Sequence, residues 1–312
     1  MQLYNLRKDT ELSKKSAFAE GTYKNLKIQF KSYFLFCTYF KLTPLPTTVS
    51  KLCLYGEFLS RSFKSVNSIQ NYISGVKTLH LLAGIEFPSE NWFSVKLLYR
   101  GLARENPHLP HRALSITPDI LLQMHKKLDM SNSVDVTYWC SYLFAFFLMA
   151  RKSNLVPVSV KKFDPSKQLC RKNITVHRDY LVIKILWSKT IQFGDRKLEI
   201  SLVKIPNSPL CPYQAYTNMC KLVPADNNDP AFLICHGHVR KVLTYVQYQR
   251  KLRDTLKRCK LNPSNYSSHS FRRGGASWAF HSKVPSELIQ FHGDWHSDAY
   301  KIYLEFNFED KL

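Results

Sequence analysis

The chain has 312 residues, 45% hydrophobic and 22% charged, enough for two modest domains with buried cores and too apolar for a disordered chain. Lys and Arg outnumber Asp and Glu 45 to 23, a formal charge of +22, which points to a polyanionic partner because each phosphate neutralised releases a condensed counterion. The excess is not a basic tail: 15 basic and 7 acidic residues precede position 106 and 30 and 16 follow, so both halves are expected to meet that partner.

The opening MQLYNLRKDTELSKK has no apolar stretch, so no secretory signal is expected. The eight cysteines, with no C-x-x-C pair, are expected to be reduced thiols. From about 15 to 104 the chain reads as helices. Apolar residues recur at three- and four-residue steps through Tyr23, Leu26, Phe30, Tyr33, Phe34, Phe36 and Cys37, with Lys24, Lys27 and Lys31 on the other side. Further helices are predicted at about 47–61, 66–83 and 92–104, divided by PLPTT, FKSVNS and the Gly84–Pro88 segment. Residues 103–115, ARENPHLPHRALS, bring prolines and basic residues without periodicity. A boundary is expected there, giving a helical domain over 1–104, a linker over 105–115 and a second domain over 116–312.

The second domain should open at Thr117-Pro118, since proline suits the first helical turn. The near-apolar run Tyr138 to Ala150 falls well short of the ~20 residues of a membrane span, and predicts a core helix ending near Arg151. ITVHRDYLVIKILWSKT and RKLEISLVKI read as a strand pair turned at QFGD, and helices resume from about 212. The expected fold class is therefore mainly α with a small antiparallel sheet (α+β). Cys235, His236 and His238 are the one cluster that suggests a metal, and they lack a second pair at zinc spacing; no cofactor or metal is expected.

The most informative stretch is SSHSFRRGGASWAF, 267–280. Ser267 or Ser268 would cap a helix, placing His269 and Arg272 one turn apart on its face. A guanidinium grips two phosphate oxygens in a fork, and an imidazole beside it can trade a proton with a hydroxyl. Gly274 and Gly275 leave room for backbone or DNA to come close. Alone, H-x-x-R is a weak signal, and a solvated His and Arg on a basic helix would look the same. Its surroundings sharpen it: LMARKSNLVPV puts Arg151 after the core helix, WSKT puts Lys189 at a strand end, and FHGDWHSDAYKIYL puts Trp295 eight positions before Tyr303. On residues alone Tyr300 competes with Tyr303, Lys152 with Arg151, and Lys184 and Lys197 with Lys189.

Arg, strand-borne Lys, His-x-x-Arg, Trp and Tyr in this order resemble the tyrosine recombinase (phage integrase) family. The wording S-K-T and G-x-W-x-S-x-A is similar to its eukaryotic mobile-element members of the Crypton and DIRS type. The resemblance covers about 112–304, and the helical N-terminal part only loosely, as something similar to the family's core-binding domain. It implies Tyr303 as the nucleophile that forms a 3′-phosphotyrosyl link, His269 as the base, Arg151 and Arg272 as the clamp on the phosphate, and Lys189 as the acid for the leaving 5′-oxygen. Trp295 would pack against the site and donate from its indole. The family's pattern of arginine, any residue, Ser, acid or amide, Leu fits Arg151-Lys152-Ser153-Asn154-Leu155.

The implied partner is double-stranded DNA, gripped between the two domains, with a homo-oligomer, a tetramer, on paired sites, in the nucleus if the host is eukaryotic. No membrane and no small-molecule substrate are implied. Two departures stand out. The Trp-to-Tyr interval is one residue shorter than in many bacterial members, and Asn154 stands where many members carry an acid that helps fix the arginine. Among rivals, a metal-dependent nuclease needs clustered carboxylates, which the acids between Arg151 and Trp295 do not suggest. A type IB topoisomerase shares the chemistry, and a domesticated, non-catalytic DNA-binding protein would share the fold.

Overall fold

In the computed structural model, which describes residues 3–110, 112–191, 196–236 and 239–304, the chain divides into two units, Met1–His111 and Arg112–Leu312. The first is wholly helical among its described residues: α1 (Leu3–Lys15), α2 (Glu20–Tyr39), α3 (Val49–Ser60), α4 (Val66–Leu82) and α5 (Trp92–Glu105). Helix α1 lies ahead of the expected start near 15; its LYNLRKDTELSKK is strongly polar, with few apolar residues to mark a buried face. In α2 the face that is buried is Tyr33, Phe36 and Cys37, whereas Tyr23 and Phe34 stay 61% and 39% exposed. The Tyr33 ring meets Tyr55 edge-on at 5.1 Å and its hydroxyl donates to Thr47 Oγ1 at 2.7 Å. Thr48 accepts from the Lys51 N–H at 3.2 Å and so caps α3, which therefore begins at Val49.

The second unit opens as the Thr117-Pro118 pair requires: α6 (Pro118–His125) is capped by Thr117 with proline in its first turn. Next comes α7 (Ser133–Phe147), whose residues Val136 to Phe146 are all buried. A helix apolar all round has no solvent face and must lie inside a core. After the short α8 (Lys152–Leu155) come β1 (Ile174–Val176), β2 (Tyr180–Ile185) and β3 (Leu198–Val203), an antiparallel sheet in the order β1-β2-β3. The expected strand pair is thus three strands. His177-Arg178-Asp179 reverses the chain without a glycine or proline to announce it, closed by the His177 N–H on Tyr180 O at 2.9 Å. The QFGD turn lies outside the described residues. On β2 and β3 the alternate residues Leu181, Ile183, Ile185, Leu198, Ile200 and Leu202 are buried, the period-2 pattern of a sheet with one packed face.

Helix α9 (Pro212–Leu222) follows at the expected place. A second hairpin, β4 (Leu233–His236) and β5 (Val239–Val242), interrupts the run expected to be helical beyond 212. Its strands are too short to show a period. Cys235 lies on β4, and His238 is outside the described residues. Then follow α10 (Tyr245–Arg258), α11 (His269–His281), α12 (Ser286–His292) and a 3-10 turn over Asp298–Tyr303, the last element among the described residues. Helices among the described residues dominate, so the chain is mainly α with small antiparallel sheets.

Gly274 and Gly275 serve helix packing. A Cβ on Gly274 would lie 1.8 Å from the carbonyl oxygen of Ile116, and one on Gly275 would lie 2.2 Å from that of Phe146. Both obstacles are backbone, so neither can swing aside, and α11 can lie against the Ile116 segment and against α7 only without side chains at these two positions. Gly274→Ala should therefore destabilise the unit by ~3 kcal/mol, the upper range for overpacking, measured as the shift of the denaturant midpoint. An unchanged midpoint would mean that α11 and the Ile116 segment can part without cost.

Candidate active site

Helix α7 stops when Met149 takes a left-handed backbone (φ 46°), uncommon for a residue with a long side chain. That reversal brings out Arg151, which stands as the N-cap of α8. Arg151 Nη1 donates to Asp294 Oδ2 at 3.0 Å and Nη2 to the Asp294 carbonyl at 3.2 Å. Asn154 does not hold it; its amide donates to Trp187 O at 2.5 Å. The competing Lys152 lies with its ammonium 3.7 Å from the centre of the Tyr245 ring.

His269 opens α11 with its backbone N–H on Ser267 Oγ at 3.2 Å. Arg272, one turn on, is 2% exposed. Its Nη1 donates to Met149 O, and its guanidinium lies 3.8 Å from the centre of the Trp295 ring, a desolvated cation–π stack. Its Nε and Nη2 are buried with no hydrogen-bond partner among the described residues. Burial, and then the like charge of Arg151, push its pKa down, while Tyr303 and Asp294 pull it back up. A guanidinium keeps its proton regardless, so the pair of arginines is a concentrated positive charge short of an anion.

Trp295 is 6% exposed. Its ring folds back over Gly293, where a Cβ would lie 1.6 Å from the indole. Tyr303 closes the 3-10 turn with its ring 5.4 Å from that of Trp295 and 5.5 Å from the Arg272 guanidinium. Its carbonyl accepts from Ser277 on α11 at 3.0 Å, which ties the terminal turn to the His269 helix. Tyr300 is buried (4% exposed) among Met149, Trp295 and Leu304. Of the two tyrosines, Tyr303 is the one that keeps an open side next to Arg272.

Lys189 is exposed in a two-residue turn closed by Ser188 and Ile191, which exchange backbone hydrogen bonds at 3.3 and 3.2 Å. The hydroxyls on either side of it, Ser188 and Thr190, both donate to Asp294 Oδ2. Of its competitors, Lys184 is engaged by Glu199 across the strands at 3.2 Å. The structure thus gathers Arg151, Arg272, Trp295 and Tyr303 directly, sets His269 on the same helix as Arg272, and ties the Lys189 turn to the group through Asp294.

No protein-family model matches the sequence, and no curated protein matches it as a relative. Solved structures do. The Tn1549 transposon integrase in complex with circular intermediate DNA superposes with a TM-score of 0.59 at 13% identity, over 97% of this chain and 95% of that one. The XerH site-specific recombinase bound to its palindromic difH substrate gives 0.55 at 14% identity, over 90% of this chain and 74% of that one. A λ integrase dimer bound to a COC′ core site gives 0.54 at 13% identity, over 100% of this chain and 78% of that one. The fold is that of the tyrosine recombinases.

Within this tyrosine-recombinase fold, Asp294 is the residue that sequence reasoning missed. It looked like one more scattered acid. The available signal was Asn154: with an amide where an acid is usual, some other carboxylate had to hold Arg151. Among the described residues no three His, Cys, Asp or Glu side chains are grouped to hold a metal ion, and no helix is long and apolar enough to cross a membrane.

The His269 imidazole keeps an exposed edge, yet its packing desolvates it and lowers its pKa, and Lys152, Arg272 and Arg151 lower it further. The sign follows: below its ordinary value of 6.5 the unfolded chain takes a proton that the folded chain declines, so this group costs stability as pH falls through that value. At neutral pH the ring is uncharged and able to accept a proton. An NMR titration of the ring should show a midpoint below 6.5, rising when sulfate occupies the arginine pair. A midpoint above the ordinary value would require an acid at His269 instead of three cations.

Proposed function

We propose that the chain is a site-specific tyrosine recombinase that cuts and rejoins double-stranded DNA through a 3′-phosphotyrosyl intermediate. The observation that carries this reading is Arg272: a buried guanidinium with two unpartnered nitrogens, beside a second arginine and facing a partly open tyrosine. A phosphodiester supplies the oxygens those nitrogens lack, and the +22 charge supplies the attraction.

In this reading Arg151 and Arg272 hold the non-bridging oxygens and stabilise the pentacoordinate transition state. Tyr303 gives its proton to His269 as its oxygen bonds to phosphorus. The P–O5′ bond breaks, and the departing oxygen keeps the electron pair and takes a proton from Lys189. Trp295 fixes the plane of Arg272. The bond energy stays in the phosphotyrosyl ester, so a 5′-hydroxyl can reverse the step, and no nucleotide cofactor is called for. The resemblance of the S-K-T and G-x-W-x-S-x-A wording extends the proposal to a eukaryotic mobile element of the Crypton or DIRS type, with tetramers on paired sites, nuclear DNA as the substrate, and a core-binding role for the helical first unit.

The test is covalent capture. The protein is incubated with fragmented genomic DNA, denatured in detergent, and the DNA that remains attached is recovered and sequenced. The expected result is DNA joined through its 3′-phosphate to the protein, clustered at a shared sequence. Salt-sensitive binding with no covalent DNA would turn the reading towards a non-catalytic binder on this fold.

A further inference from the structure

Asp294 joins parts of the site that are remote in sequence. Its side chain is 6% exposed and its backbone is left-handed (φ 55°), a conformation Asp and Asn tolerate better than other residues with a Cβ. Oδ2 accepts from Arg151 Nη1 at 3.0 Å and from the Ser188 and Thr190 hydroxyls, and Oδ1 accepts from Arg196 Nη2. Three donors converge on Oδ2 and one on Oδ1, so both oxygens of the carboxylate are engaged by the protein's own groups. It also neutralises only part of the charge of Arg151 and Arg196, leaving the phosphate site positive.

The three contacts on Oδ2 have different origins. Arg151 follows the core helix, whereas Ser188 and Thr190 flank Lys189. Within the turn, Ser188 and Ile191 exchange backbone hydrogen bonds and the Thr190 N–H donates to Ser188 Oγ at 3.0 Å, and the Asp294 contacts tie it to the Arg151 side of the site. We propose that Asp294 is the positioning residue that sets the Lys189 turn against Arg151, so that proton donor and phosphate clamp meet the same phosphodiester. This rests on the recombinase reading, since it presupposes that Lys189 protonates the leaving 5′-oxygen. The mechanism has a cost: an exposed lysine on a turn donates efficiently only if the turn is registered to the phosphate.

Two measurements test this on the full chain. The first needs no DNA. Hydrogen exchange of the 188–191 amides should speed up by roughly tenfold in Asp294→Asn, while α7 keeps its protection. Unchanged exchange in the turn overturns the proposal.

The second compares two duplexes carrying a captured site, one natural and one with sulfur in place of the scissile 5′-oxygen. A thiolate leaves without a proton, so the second duplex does not need Lys189. The double variant Ser188→Ala, Thr190→Val frees the turn but leaves Arg151 on Asp294. It should cleave the natural duplex about 100-fold more slowly, the scale of a lost general acid, and the sulfur duplex near the wild-type rate. Asp294→Asn should be slowed on both, more on the natural one. A double variant slowed equally on both duplexes, or on neither, overturns the proposal. If the wild-type protein cleaves neither duplex, the recombinase reading falls, and the exchange measurement still decides whether Asp294 fixes the turn.

Discussion

Tyr303→Phe is expected to abolish covalent capture of DNA, a loss of at least about 10⁴-fold by analogy with removal of a catalytic nucleophile, while Tyr300→Phe captures as the wild type does. The two tyrosines lie one turn apart; on residues alone they compete, and the family resemblance favours Tyr303. Their packing differs. Tyr300 is 4% exposed within the cluster of Met149, Ala276, Ile289, Trp295 and Leu304, so it is shut away from solvent. Tyr303 lies at the margin of that cluster, 5.5 Å from the Arg272 guanidinium. Phenylalanine keeps the ring that packs on Trp295 at 5.4 Å, so the Tyr303 variant should fold and bind DNA normally and fail only at the chemical step. Gel-shift affinity alongside the detergent assay separates the two. Capture lost in Tyr300→Phe and retained in Tyr303→Phe would mean that the terminal turn rearranges on DNA and presents the other tyrosine.

The sequence was most legible where a local rule acts alone. The helices at 49–60, 66–82 and 92–105 lie within a residue or two of their expected positions, because capping residues, periodicity and breakers are all short-range signals. Thr117-Pro118 did the same for α6. The features that were not legible are fixed at long range. The carboxylate of Asp294 is defined by Arg151, Ser188 and Arg196, which lie 143, 106 and 98 residues away in the chain, and nothing in GDW announces them. Gly274 and Gly275 showed that something comes close; only the structure says that it is the carbonyls of Ile116 and Phe146. The first turn of the three-stranded sheet was hidden for a different reason. His177-Arg178-Asp179 is polar and flanked on both sides by β-formers, so the passage read as one long strand.

Arg272→Met is expected to separate stability from function. The variant should lose cleavage by about 10²–10³-fold, the usual cost of removing one group that stabilises transition-state charge, yet unfold at or slightly above the wild-type temperature. Two favourable contacts disappear, the hydrogen bond to Met149 O and the stack on Trp295 at 3.8 Å, worth together ~3 kcal/mol. Against them stands the desolvation of a cation that is 2% exposed, several kcal/mol for a buried ion, to which Arg151 adds like-charge repulsion. Methionine fills similar volume without that cost. Thermal melts with and without sulfate make the distinction: an anion bound only by the folded state raises its melting temperature, so sulfate should stabilise the wild type and leave Arg272→Met nearly unmoved. A variant that melts well below the wild type but responds equally to sulfate would make Arg272 a structural strut, with the anion held by Arg151 and its neighbours alone. The expected pattern instead describes a site that is strained by its own charge until an anion enters it, so that ground-state instability in the free protein becomes affinity for phosphate.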